Sequence, residues 1–336
     1  MRNRSQTIDA AKKVRYNEQK GSRGGVFWLH KEAKSMSNVP YFKAKEIAPR
    51  SWQIEYAFTD KEHVYCYLTE GRDYALAIDT MMGHGNLRAF LETLTDKPIK
   101  LVDTHFHFDH CGGNFAFDFC YIHPADIPYL YSEKPRTAAD MLARAKELAL
   151  PEYADQLEES DFFAERPMRT YPVWDGDVFD LGDRQIEVIE VGGHTPGSIV
   201  LLDRVQRIAY SGDACNGNTL LGFGNSLPIE TYLKNLLHFK RFQKDFDVMY
   251  GGHQVLPPET LDEGIELCGK VLAGLDDHEE RPGMFGRTAI YGAKHAENSI
   301  VERADGKSFN LSYNPDNLYA DGPTKQVIGV WPADLF

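Results

Sequence analysis

Several features that would assign this chain to a class are missing from it. Its five cysteines, Cys66, Cys111, Cys120, Cys215 and Cys268, are odd in number and include no C-x-x-C pair, which argues against a disulfide framework and for a reducing compartment. No apolar run approaches the length of a membrane span, and the first thirty residues hold none long enough for a signal peptide. A cytoplasmic location with no membrane partner is therefore expected. Positive charge is also scarce: 37 basic residues face 50 acidic ones, for a formal net charge of −13. Such a surface repels phosphate backbones, so nucleic acid is not expected as a partner. No internal repeat or low-complexity tract is evident.

What is present begins with a charged segment, residues 1–46, punctuated by Gly21, Gly24 and Gly25. It reads as an N-terminal extension that allows a homo-oligomer contact. From Trp52 onward, short aromatic and β-branched runs at Ser51 to Tyr56, His63 to Thr69 and Asp73 to Ile78 predict strands. A helix capped by Asn86, a strand from Ile99 to Val102, a short helix near Asp109 and a strand from Phe117 to Ile122 follow, which predicts a sheet flanked by helices. Residues 124–171 carry helical spacing (Met141, Ala145, Leu148) and read as a helical lid insertion, with Tyr129, Tyr131, Phe162 and Phe163 facing an apolar acyl group. Strands return at Gln185 to Val191, Ile199 to Leu202, Arg207 to Tyr210 and Asp247 to Tyr250. Residues 258–336 read as a helix plus a hairpin from Ser299 to Tyr313 turning at Asp305-Gly306.

The chemistry gathers after the predicted strands. Thr104-His105-Phe106-His107-Phe108-Asp109-His110 packs three imidazoles and a carboxylate into six residues, and His105 and His107, two apart, project alike if the strand continues. Gly192-Gly193-His194, Ser211-Gly212-Asp213 and Gly251-Gly252-His253 close three later strands. Five imidazoles and two carboxylates on one sheet edge would be costly as bare groups. A pair of divalent metals relieves that cost, and the count suits two ions sharing a carboxylate. Cys111 and Cys215 adjoin these residues but read as small buried hydrophobes. His84 reads as a solvated loop histidine, and Ser198 and Tyr250 as turn and strand-end residues.

This set, H-x-H-x-D-H followed by separate His, Asp and His turns, resembles the metallo-β-lactamase superfamily over roughly residues 51–253. The resemblance implies an α/β fold, an αββα sandwich of two mixed β-sheets flanked by helices, occupying residues 47–336. It implies that His105, His107 and His194 hold one metal, that Asp109, His110 and His253 hold the second, and that Asp213 bridges them. Asp79 resembles the family's acidic residue at an early strand end and would support the ligands. Met81, where a Gly is common, and Cys111, where a small residue is usual, depart from the family pattern. The implied activity is hydrolysis by a dinuclear centre, most simply Zn2+ with Mn2+ or Fe2+ as alternatives, using a metal-bridging hydroxide, with Asp109 and Asp213 catalytic. A small thioester or lactone substrate is favoured. A mononuclear-iron enzyme like the persulfide dioxygenases and a β-lactam hydrolase stay open as alternatives.

Overall fold

The computed structural model describes residues 39–283, 287–299 and 301–320; the oligomer contact expected of the N-terminal extension falls on residues largely outside these. The boundary drawn at residue 46 falls inside the first strand, so the folded body begins earlier than expected. Seven strands make the first sheet in chain order: β1 (Phe42–Ala48), β2 (Ser51–Tyr56), β3 (Cys66–Glu70), β4 (Ala75–Ile78), β5 (Ile99–Val102), β6 (Phe119–Ile122) and β7 (Arg169–Pro172). Pairing is antiparallel as far as β4 and parallel from β4 to β7. Parallel neighbours need crossovers. Helix α1 (Leu87–Leu91), α2 (Phe108–Cys111), α3 (Ala138–Leu148) and α4 (Pro151–Ala154) supply them. Asn86 caps α1 by accepting from the Ala89 N–H at 3.1 Å, and Thr137 with Asp140 forms a reciprocal capping box at α3.

The chain continues through β8 (Val178–Asp180), β9 (Gln185–Glu190), β10 (Ile199–Asp203), β11 (Ile208–Gly212), β12 (Thr219–Leu221), α5 (Ile229–Lys240), β13 (Val248–Gly251), β14 (Val255–Leu256) and α6 (Thr260–Ala273). All these strands but β12 form a second sheet in the order β14-β13-β11-β10-β9-β8, antiparallel except where β11 meets β13. Alternate residues fill the space between the two sheets, among them Tyr67, Ile78, Val102, Ile186, Leu201 and Tyr210. The opposite face of the first sheet buries Ile54, Leu68 and Ala77 with Leu91, Met141 and Ala145 of the helices. That of the second buries Val200 and Ala209 with Leu236 and Phe239 of α5 and Leu267 of α6. The layers therefore run helix, sheet, sheet, helix, the expected αββα sandwich of mixed sheets.

Beyond α6 the structure corrects the sequence reading. The hairpin is formed by β15 (Glu279–Pro282) and β16 (Thr288–Tyr291), not by Ser299 to Tyr313. A turn does occur at Gly306, with φ +76, but only Leu311–Tyr313, strand β17, is extended beyond it. These strands join β12 in a third sheet, ordered β12-β17-β16-β15, with β12 and β17 parallel. No helix among the described residues is long and apolar enough to cross a membrane.

Candidate metal centre

The turns after β5, β9, β11 and β13 converge. Ligand-capable atoms of His105, His107 and His194 lie within 4.8 Å of one another, as do those of Asp109, His110 and His253. A third group within that limit, His105, His110 and Asp213, links the two. The Asp213 carboxylate stands between them, one oxygen 3.6 Å from His194 Nε2 and 3.5 Å from His253 Nε2, the other 3.6 Å from His110 Nε2. All seven residues picked out of the sequence thus come together.

The unused ring nitrogens are held from outside. His194 Nδ1 lies 2.7 Å from the Leu220 carbonyl in β12, and His253 Nδ1 is 2.7 Å from the His63 carbonyl. His110 Nδ1 meets Asp79 at 3.0 Å, and Asp79 also accepts from the Thr104 N–H at 2.7 Å and the Thr104 hydroxyl at 2.8 Å. Each such contact turns the ring's other nitrogen inward. Asp79 holds this position at φ +61, and Met81 follows at φ +55, the left-handed region that glycine enters most readily. The departure from the family at Met81 is therefore accommodated in the backbone that a Gly would adopt.

The groups fit a metal. His105 Nε2, His110 Nε2 and one Asp213 oxygen are buried and make no hydrogen bond, an expensive arrangement for three polar atoms unless a cation satisfies them. His107 Nδ1 and His194 Nε2 face each other at 2.8 Å, which requires a shared proton or a cation between the two lone pairs. Charge is uneven across the centre. Burial, reinforced by the other imidazoles, holds His105 well below the ordinary histidine range, and burial with His194 holds His107 down to about 3. Burial lowers His194 as well. At His110 and His253 burial acts in the same direction, but nearby carboxylates outweigh it: Asp109, Asp213 and Asp79 raise His110 to about 9, and Asp213 and Asp109 raise His253. Burial opposes ionisation of Asp109, yet His110 and His253 hold it down to about 2, and Asp213 is lowered by the same neighbours.

Other residues weighed in the sequence lie elsewhere. Cys111 donates its thiol to the Phe106 carbonyl at 3.0 Å, and Cys215 is packed in the α5–α6 core. Ser198 hydrogen-bonds Thr195 within its own turn, and Tyr250 packs on Tyr67 and Tyr210. His84 is fully buried against Tyr56, Phe58 and Phe162, not solvated. Phe162 is therefore core rather than lid lining, and Tyr131 is spent on Met168. Tyr129, another of the aromatics assigned to the lid, lies toward the centre, its ring 5.0 Å from Phe106, which in turn lies 4.6 Å from His107.

One residue escaped the sequence reading altogether. Asp126 accepts from the Phe106 N–H at 3.0 Å and the Thr195 hydroxyl at 2.7 Å through one oxygen, and from the Gly197 N–H at 2.6 Å through the other. It clamps the His105–His107 segment to the His194 turn. Its only signal in the sequence is its place shortly after a strand end, three residues beyond His123.

The family model for the metallo-beta-lactamase superfamily matches residues 59–253, which includes every one of the seven site residues. The chain belongs to this superfamily. Among curated relatives it is similar to the human acyl-coenzyme A thioesterase MBLAC2, 28% identical over 199 residues that cover 55% of this chain and 71% of the relative. The Gallus gallus protein of the same name is 28% identical over 266 residues, covering 76% and 86%. A metallo-beta-lactamase from Pontibacter korlensis shares the superfamily fold, with a TM-score of 0.50 at 18% identity over 68% of this chain and 99% of that one.

Proposed function

We propose that this superfamily hydrolase cleaves small acyl thioesters, ahead of lactones, at a centre built for two divalent ions. The observation that carries the reading is the pair of three-residue groups flanking one carboxylate, Asp213, with buried, unsatisfied donor atoms on both sides of it. Similarity to acyl-coenzyme A thioesterases supports the thioester over the lactone. His105, His107 and His194 would hold one ion, Asp109, His110 and His253 the other, and Asp213 both. Bound there, two ions, Zn2+ best suiting nitrogen and carboxylate donors, supply Lewis acidity and acidify water towards neutral pH.

The chain's own residues do the rest. Asp79, Leu220 and His63 fix the tautomer and direction of three rings, so the donors need no reorganisation on loading. Asp109 has the more open carboxylate of the two, its side chain 38% exposed against 10% for Asp213. Held near 2, it is too weak a base to keep a proton at neutral pH, so its role is to accept a hydrogen bond and orient water. Five unpaired cysteines support a reducing compartment such as the cytoplasm.

The test is thiol release from acyl-coenzyme A thioesters by metal-quantified protein, run beside lactones and β-lactams. Two metal ions per chain with thioester turnover is the expected result. One iron per chain with oxygen uptake would overturn the hydrolytic reading in favour of an oxidoreductase.

A further inference from the structure

Beside the metal centre, with Leu220 and Phe223 shared between them, lies a cavity of about 380 Å³. It is built by the third sheet, whose strands β15, β16 and β17 lie beyond the part of the chain that the family model matches, while β12 lies within it. The registers Leu220 to Ser312 and Ser312 to Tyr291 carry one row of residues across β12, β17 and β16. Leu221, Tyr313 and Ile290 alternate with this row and pack in the core under α5 and α6; the row Leu220, Ser312 and Tyr291 lines the cavity, and Ile290 and Tyr313 border it as well. Leu220 and Phe223 stand at the inner end. The Leu220 carbonyl holds His194, and the Phe223 ring is 5.3 Å from His107 and 5.9 Å from His194. Ala289, Gly283 and Arg287 line the outer end.

We propose that this groove receives the acyl chain of the substrate, an unbranched apolar group, and leaves the charged thiol carrier outside; the proposal rests on the thioester reading above. Three strands at about 4.8 Å spacing make a floor of roughly 10 Å, which at about 1.3 Å per extended methylene (C–C about 1.5 Å) accepts roughly eight carbons. The floor and walls are apolar or neutral. Arg287, exposed at the rim, is the one cation among the described lining residues, too few for a carrier bearing several phosphate charges. A side chain at Gly224 would meet nothing within 4 Å, so the loop side of the groove has room that a ligand can use.

The readout is the ratio of kcat/KM between octanoyl and acetyl thioesters of the same thiol. In the unaltered protein kcat/KM rises about three- to fourfold per added methylene and levels off near eight carbons. Ala289→Trp, which fills the outer end, lowers the ratio more than tenfold, and Gly224→Leu, which fills the groove from the loop, does the same should the first variant fold poorly. A ratio unchanged in both variants, or a rise that continues to sixteen carbons, overturns the groove. Calorimetric titration with octanoic acid separates this from the reaction itself. Binding that Ala289→Trp weakens at least tenfold sustains the groove even if no thioester is cleaved, and no binding to the unaltered protein removes it even if thioesters are.

Discussion

His105, His107 and His194 form a group in which every donor is an imidazole, whereas Asp109, His110 and His253 mix a carboxylate with two rings. The difference decides what each group must give up to take a metal. In the first, burial and mutual repulsion have already driven protons off the rings, so the lone pairs are ready. In the second, the carboxylates that would help to hold a cation hold protons on His110 and His253 instead. A site can thus be shaped for two ions and still bind them under different conditions, because a ligand must shed its proton before it can coordinate.

The strongest way to break this contrast is to remove what the two groups share. Asp213→Ala should cost on the order of 10³-fold or more in kcat/KM and reduce metal content on both sides. Full activity with two ions bound would refute the bridging role. The supports outside the centre allow a sharper separation. Asp126→Asn keeps one acceptor oxygen of two and loosens the clamp between Phe106 and Gly197, so it should weaken binding at the all-imidazole group by about 10–100-fold. Asp79→Asn should do the same at the group containing His110. In a competitive Zn2+ titration the two variants are expected to displace different steps of a biphasic curve; if both shift the same step, the supports do not act separately.

A pH slope separates the two groups without any substitution. His110 has a folded-state value raised to about 9 and His253 is raised as well, so a metal must displace both protons, and apparent affinity at this group should rise by up to about a hundredfold for each pH unit while both are protonated, and by at least about tenfold up to about 9. His107, lowered to about 3, is already neutral throughout that window. Its group should show almost no slope between pH 6 and 9. Equal slopes for the two binding steps, read by proton release on loading, would erase the distinction.

The sequence made the centre legible because its residues are concentrated after strands whose patterns are plain. Ile99–Val102 and Ile208–Gly212 are short, mostly apolar runs, and His105 and Asp213 follow them closely. The supports were not legible. Asp126 acts over 69 to 71 residues of chain through Thr195 and Gly197, and nothing local marks that reach. Strand β1 hid behind Lys43, Lys45 and Glu46, charges of the kind that protect a sheet edge. Strand β12 has three residues and pairs with a strand about ninety positions later, a distance at which no periodicity survives. His84 lacked any visible reason for burial, and its aromatic surroundings come from two segments far apart in the chain, Tyr56 with Phe58 and Phe162.

The pairing of β12 with β17 also orders events during synthesis. The carbonyl that steadies His194 belongs to Leu220, whose strand is hydrogen-bonded to Leu311–Tyr313. A growing chain that has already emerged as far as His253 therefore carries every metal-binding side chain, and the Leu220 carbonyl that steadies His194, but not the strand β17 that Leu220's strand pairs with. Metal retention is therefore expected to firm up only once Leu311–Tyr313 has been made, about sixty residues after the last of the seven site residues.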